Sequence, residues 1–532
     1  MAKTSVSPST AWYQQSSPPY AAGAYINSAR PSGGVIPAYY KPTQEQFISW
    51  DFPNVVHTGI DVDYKMTGYD FENRTLAWSV DSGPAGMTID SDGTIHWMPV
   101  TDSTTEAVTI GLTFDGGSKI TKIFTITVEN SRCIFVSTTG NDSTGTGSLA
   151  APYLTFTKAA EDIVAVSTGV TVFQRGGTYT IANFNWTTGD LSTLSAQSWS
   201  VTDPICIRNY PTEAPIVSIT AGSGFVFYGD YVTMLWIDIS GSTTLDRGGL
   251  VMRGTNVAKQ VIARDADFDT GGNVTGFQLG GGVLLDSCTG YNNRDTTAPS
   301  TLHNQSNYLF YGSIGSVSEA FLIDCISDAI GFDGHVGFKV KHAGENVIYY
   351  HNCIDSGSPF PISVIQNKAS IRHGMFYTNT ANGVGVHMGY TDPTTGGENN
   401  TNEGMLIQGN VIVAGANARA AIENLVWALN TVEPLIIRDN NVESYVSGGG
   451  AIFTKGRYSG DTTPATWKLE YDENTMYSAS PTNSVIITNS TTEDISILNG
   501  YGDGNTEIAA ATYTKTVNGR TFQIVSGVMS EI

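Results

Sequence analysis

The sequence predicts an all-β fold: a long solenoid of short strands wound into a coil, closed at its N-terminal end by one helix and preceded by a small β-sandwich. Three observations predict it. Charged residues are only 14% of the 532, well under the roughly 25% of ordinary globular chains. The 58 glycines and abundant Ser, Thr and Asn suit strands joined by many turns. Related strand segments recur between 131 and 480, and a lone amphipathic helix signal stands ahead of them.

Residues 1–45 are rich in Ser, Pro, Ala and Tyr, carry few charges and lack apolar periodicity, so they read as an extended arm. Tyr13, Tyr20, Tyr25, Tyr39 and Tyr40 supply aromatic anchors for docking, which a plain linker rarely has. Residues 46–130 read as the sandwich. Leu76-Ala77-Trp78-Ser79-Val80 alternates, Asp92-Gly93 is a hairpin signal before Thr94-Ile95-His96-Trp97, and Ile120 to Val128 closes the module. The pattern resembles the immunoglobulin-like modules that bacterial surface and phage proteins use as spacers. Trp78 and Trp97 are expected in its core.

The segment Ile134 to Tyr179 reads as a strand, a Gly/Asp/Ser loop, a helix, a second strand and a Gly-Gly turn. The helix is expected from Thr155 to about Ala165, with Phe156, Ala159, Ala160, Ile163 and Val164 facing down. The first rung of a coil exposes unpaired apolar surface, and a helix placed here covers it. Phe135-Val136-Ser137, Gly140-Asn141-Asp142, Gly145-Thr146-Gly147, Pro152, Thr155-Phe156, Lys158-Ala159-Ala160 and Arg175-Gly176-Gly177-Thr178-Tyr179 resemble the opening segment of right-handed parallel β-helix proteins. That group includes pectate-lyase-like polysaccharide lyases and the tailspikes of bacterial viruses. The resemblance implies a right-handed parallel β-helix, a single-stranded solenoid, over 131–480. It names no substrate, because such folds carry many chemistries.

The repeat is visible in Val283 to Cys288, Phe321 to Cys325, Val347 to Cys353, Ile371 to Met375, Leu406 to Val411 and Ile436 to Val442. Aligned on Cys288, Cys325, Cys353, Met375, Val411 and Val442, the segments are spaced by 37, 28, 22, 36 and 31 residues. A constant minimum with variable excess fits rungs that carry inserted loops. The three cysteines then stack as small buried hydrophobes in one column, not as a metal site. Five cysteines in all, with no CxxC pair, argue against a disulfide framework. Residues 481–532 are expected to form a β cap or hairpin, since Asn518-Gly519 separates two alternating runs.

A net charge of −22 argues against nucleic-acid binding, and no window approaches a membrane span. The N-terminal MAKTSVSPSTAWYQQSSPPY has no apolar core of signal-peptide length. Together with the resemblance, this favours a virion component, a phage tailspike or fibre, over an extracellular enzyme. Such a spike is expected to be a homotrimer that binds, and in one version depolymerises, a host surface polysaccharide, with the arm meeting other tail proteins. The alternatives are a signal-less or exported bacterial polysaccharide lyase acting by β-elimination on a uronate-containing glycan, and a non-catalytic structural adhesin or decoration protein.

Chemistry is expected on the strands that precede those aligned above. Alternation turns Phe277, Phe338, Val340 and Val386 inward. It turns Gln278, Lys339, Lys341, His387, Glu423 and Lys455 outward, as a polar ladder about 5 Å per rung. Five of the eight histidines lie between 335 and 387, His342 among them. Two reactions fit. In β-elimination of a uronate, Lys339 or His387 removes the proton α to the carboxylate, with Lys341 or Arg372 as the partner charge. In glycoside hydrolysis, two carboxylates drawn from Asp324, Asp328, Asp333 and Glu423 flank the bond. Gln278, His342 and Lys455 are the candidate sugar contacts. Asp324, Asp328 and Asp333 are also candidate calcium ligands, though their spacing matches no calcium-loop motif.

Overall fold

The structure, a computed structural model, describes residues 25–26, 41–166, 169–181, 184–185, 199–220, 225–227, 229–241, 249–266, 274–293, 305–311, 319–328, 336–341, 347–365, 368–381, 383–388, 405–424, 435–446, 452–455, 468–472, 474–478, 485–488, 495–498, 506–507 and 512–532. The chain is a right-handed parallel β-helix in which each rung gives one strand to each of three parallel sheets. It divides into two compact units, one of Lys41–Asp269 with Gly282–Cys288, the other built on Thr270–Gly281 and Thr289–Ile532.

In the first unit the first sheet runs through Cys133–Val136, Val170–Gln174, Ile205–Asn209, Val232–Leu235, Val257–Lys259 and Leu284–Asp286, each parallel to the next. One helix, Phe156–Val166, sits at the start. Thr155 Oγ1 accepts from the Lys158 N–H at 3.2 Å and so caps it. Phe156, Ala159, Ala160 and Ile163 are buried as expected, and the Phe156 ring meets Tyr179 and Phe225 edge-on.

Residues 46–130 form small sheets around one core. Strands Leu76–Ser82, Thr104–Phe114 and Lys119–Val128 are antiparallel, and Val55–Val56 adds in parallel to the last. Trp97 is buried in that core with Val108, Ile110 and Leu112, and Trp78 packs against it. The module does not stand off as a spacer. It lies on the outer face of the first sheet, where Arg208 donates to the Val62 and Asp63 carbonyls. Lys259 Nζ meets Asp51 Oδ2 at 2.7 Å with both side chains fully buried. Thr67 Oγ1 donates to Asp286 Oδ2 at 2.5 Å.

In the second unit the first sheet comprises Glu319–Ile323, Val347–His351, Lys368–Arg372, Leu406–Gln408, Leu435–Arg438 and Lys468–Asp472. Of the expected arm, Tyr25–Ile26 pairs in parallel with Lys468–Leu469, and 1–24 and 27–40 lie outside the described residues. A left-handed residue follows five of these first-sheet strands and turns the chain sharply into the second sheet: Asp324, Asn352, His373, Gly409 and Asp439, at φ of 53°, 59°, 56°, 69° and 55°. The residue after it forms the corner column, which holds Cys325, Cys353, Gly374, Asn410 and Asn440.

This corrects the column expected from sequence. Cys325 and Cys353 are buried and equivalent, but Met375 and Val411 lie one position further on and Val442 two. Matching apolar residues misaligned the later rungs, because the corner also accepts asparagine. Cys353 Sγ donates to the Leu322 carbonyl at 3.4 Å, and Asn410 Nδ2 donates to the equivalent carbonyl of Ile371 at 2.8 Å. Except at Gly374, the position holds a small buried donor, which thiol and amide both supply.

The coil also runs past 480. Val485–Thr488 continues the third sheet in parallel, and Ile495–Leu498 closes it in antiparallel pairing. Flanking Ser, Thr and Asn hide these short strands in the sequence. The expected C-terminal hairpin forms as Thr512–Val517 and Arg520–Val525, joined by a third strand, Val528–Glu531. Its described contacts lie on a flank of the coil. Val517, Phe522, Ile524 and Met529 pack on Ile326, Ile354, Met375 and Val413, on the outer flank of the second sheet.

Candidate functional site

The third sheet of the second unit carries the predicted ladder. Its strands are Thr275–Leu279, Ser306–Tyr311, Val336–Lys341, Phe360–Ile365, Val384–Met388, Ala420–Asn424 and Ile452–Lys455. Register aligns Gln278, Leu309, Lys339, Ser363, His387 and Glu423 in one outward column, which the backbone of Phe453 continues. The inward neighbours explain why the register holds. Phe277, Tyr308 and Phe338 stack at 4.8 and 4.7 Å inside the coil, and a slip of one residue would drive these rings outward.

The column is outward but not solvated. Gln278 and Ser363 are 5% exposed and Glu423 2%. Burial, with Lys341 beside it, pushes the Lys339 amine down to about 8. No hydrogen bond or ion pair engages that amine among the described residues. Burial lowers Lys341 as well. Two rungs on, burial together with Arg419 and Lys339 pushes the His387 imidazole down to about 3, so the ring is neutral at physiological pH. Its Nε2 lies 3.6 Å from Glu423 Oε2, and the Phe360 ring meets it at 5.3 Å. Arg419, half-exposed at the start of the next strand, donates to the same Glu423 oxygen.

Lys339, Lys341, His387, Glu423 and Gln278 therefore share one sheet. Arg372 does not. It lies on the first sheet in a column with His351, Gln408 and Arg438, so it cannot serve as the partner charge to a base at Lys339 or His387. Three strands per rung, not two, make a residue's sheet ambiguous from sequence. Asp324 and Asp328 also lie apart from Glu423, off the third sheet. Asp324 occupies a left-handed corner and accepts from Asn352 Nδ2, while Asp328 pairs with Arg520 at 2.5 Å and accepts from Ser356 Oγ at 3.0 Å. These engagements tie Asp324 and Asp328 to separate structural roles, and no metal-holding group of three occurs among the described residues. Asp333 and His342 lie outside the described residues, as does the side chain of Lys455.

Two residues went unmarked in the sequence. Ser363 sits on a strand whose alternation was legible, but a hydroxyl carries no charge signal. Arg419 precedes its strand and was not part of any alternating run.

The molecule belongs structurally to the right-handed parallel β-helices. No protein-family model matches the chain, and no curated protein sequence matches it. Among solved structures it is similar to pectate lyase Pel9A, at 15% identity over 70% of this chain and 79% of that one, TM-score 0.34. It is also similar to a family 28 exopolygalacturonase of Yersinia enterocolitica, at 10% identity over 78% and 86%, TM-score 0.28.

Proposed function

We propose that the protein binds a uronate-containing surface polysaccharide along the outer face of the third sheet and cleaves it by β-elimination, with Lys339 as the base. The observation that carries this is the Lys339 amine, lowered to about 8 and engaged by no described partner, in register with His387 and Glu423. A neutral amine takes the proton α to the substrate carboxylate, and the glycosidic oxygen on the β carbon leaves. Lys341, on the same strand and face, offsets the carboxylate charge. Hydrolysis is disfavoured, because it needs two carboxylates flanking one bond and, among the described residues, the column holds Glu423 alone.

Incubation with capsule or uronate polymers tests this. A rise in absorbance near the ultraviolet edge, from unsaturated sugars, is expected. New reducing ends without that rise would replace elimination by hydrolysis, and binding without cleavage would leave an adhesin.

On this reading the protein is a phage tail component, a homotrimer attached to other tail proteins through residues 1–45. The tyrosine-bearing arm and the long coil support that assignment. A detergent-resistant trimer found in purified virions is the expected result, and a monomer absent from virions overturns it.

A further inference from the structure

The column contains a second arrangement that elimination does not use. Ser363 is the register partner of Lys339 on one side and of His387 on the other, and His387 is the partner of Glu423. Adjacent parallel strands lie about 4.8 Å apart, so three consecutive rungs present hydroxyl, imidazole and carboxylate in line. Glu423 Oε2 lies 3.6 Å from His387 Nε2, near enough to act on the charge of the ring, and Phe360 packs against that ring. Hydroxyl, base and orienting carboxylate are the parts acyl transfer needs, and the set is defined by geometry, not by chain order or fold.

We propose that Ser363, His387 and Glu423 form a nucleophile, base and orienting carboxylate that hydrolyse an acyl ester on the polysaccharide bound in this groove. Ser363 Oγ attacks the ester carbonyl carbon while its proton passes to the neutral His387 ring. The bond from that carbon to the sugar oxygen then breaks, and the sugar hydroxyl leaves with the proton from His387. Water attacks the acyl-serine, gives its proton to His387, and the acyl group departs as a carboxylic acid with the serine hydroxyl restored. Glu423 offsets the imidazolium that forms at each step. Lys339, when protonated, supplies positive charge on the far side of Ser363, toward the developing oxyanion. The substrate class is an O-acylated glycan, and this inference rests on the groove being the polysaccharide site.

Two measurements on the full chain test it. The wild-type protein is treated with a fluorophosphonate and mapped by peptide mass, and p-nitrophenyl acetate hydrolysis is followed in parallel. Single labelling within 360–365 at Ser363 is expected. Ser363→Ala is expected to lose the label and to lower ester turnover on the order of 10³-fold, and His387→Ala by about 10²- to 10⁴-fold. An unlabelled wild-type Ser363, or a Ser363→Ala variant with wild-type melting and wild-type ester turnover, overturns the proposal. Glycan binding by the wild-type protein is read separately. Labelling without glycan binding overturns the polysaccharide reading and leaves the serine assignment, whereas binding without labelling overturns the serine assignment alone.

Discussion

Asn440 Oδ1 accepts two hydrogen bonds from Asn410, one from its backbone N–H and one from its side-chain Nδ2, both at 3.0 Å. Asn474 repeats the arrangement on Asn440, at 3.1 and 2.9 Å, while each Nδ2 also donates to a carbonyl of the preceding rung. The rungs are thus tied at one corner by a continuous amide ladder, fully inside the coil. Asn440→Ala leaves the Asn410 N–H, the Asn410 amide and the Ile407 carbonyl short of partners. At about 1–3 kcal/mol for each buried group left unsatisfied, the variant should lose several kcal/mol in chemical denaturation. Cys353→Ala, which removes one weak thiol donor, should lose distinctly less.

Asp355 responds to pH from inside the same coil. It is buried, accepts from Ser358 Oγ at 2.7 Å, and burial raises its carboxyl to about 6. The unfolded chain ionises near 3.9, so the folded protein holds a proton that the unfolded chain has released. The stabilisation is complete below the unfolded value and is lost as pH rises through about 6. Across that window the wild type should lose about 3 kcal/mol relative to Asp355→Asn. Melting both proteins at pH 4, 5, 6 and 7 checks it; parallel curves would exclude a raised Asp355.

The buried Lys259–Asp51 pair, at 2.7 Å, ties the N-terminal module to the coil within the first unit. Breaking one side strands a charge, so Lys259→Met should cost about 3–5 kcal/mol. Removing the stranded charge as well, in Lys259→Met with Asp51→Asn, should recover part of the loss. A double variant as unstable as the single would show that the ion pair is not what Lys259 contributes.

For Lys339, the direction of the shift fixes the pH profile. A base must be unprotonated, so elimination should rise about tenfold per pH unit below the lysine value of about 8 and level off above it. Lys339→Arg, which stays protonated, should show neither the plateau nor the rate. Initial rates from pH 5 to 10 decide it.

The sequence made the coil legible because interior alternation is strict: Phe277, Phe338 and Val386 could be turned inward from period two alone. The same period put Lys339, His387 and Glu423 on one face. Three things were not legible. The corner column changes from thiol to amide, so an apolar match slid onto Met375, Val411 and Val442. Arg372 lies only a few residues from strands of the ladder, yet the register of a three-sheet rung sends it to another face. Ser363 announces itself only when its neighbours on adjacent rungs are known, and those neighbours are more than twenty residues away in the chain.

The C-terminal sheet has a consequence for how the chain is made. Arg520 reaches back to Asp328 and Phe522 packs beside Ile326 and Ile354, across about two hundred residues of intervening coil. Rungs can stack in order as they leave the ribosome, but the apolar strip of Ile326, Ile354, Met375 and Val413 stays bare until residues 512–532 emerge. During that interval the nascent coil offers neighbouring chains on the same polysome a ready contact.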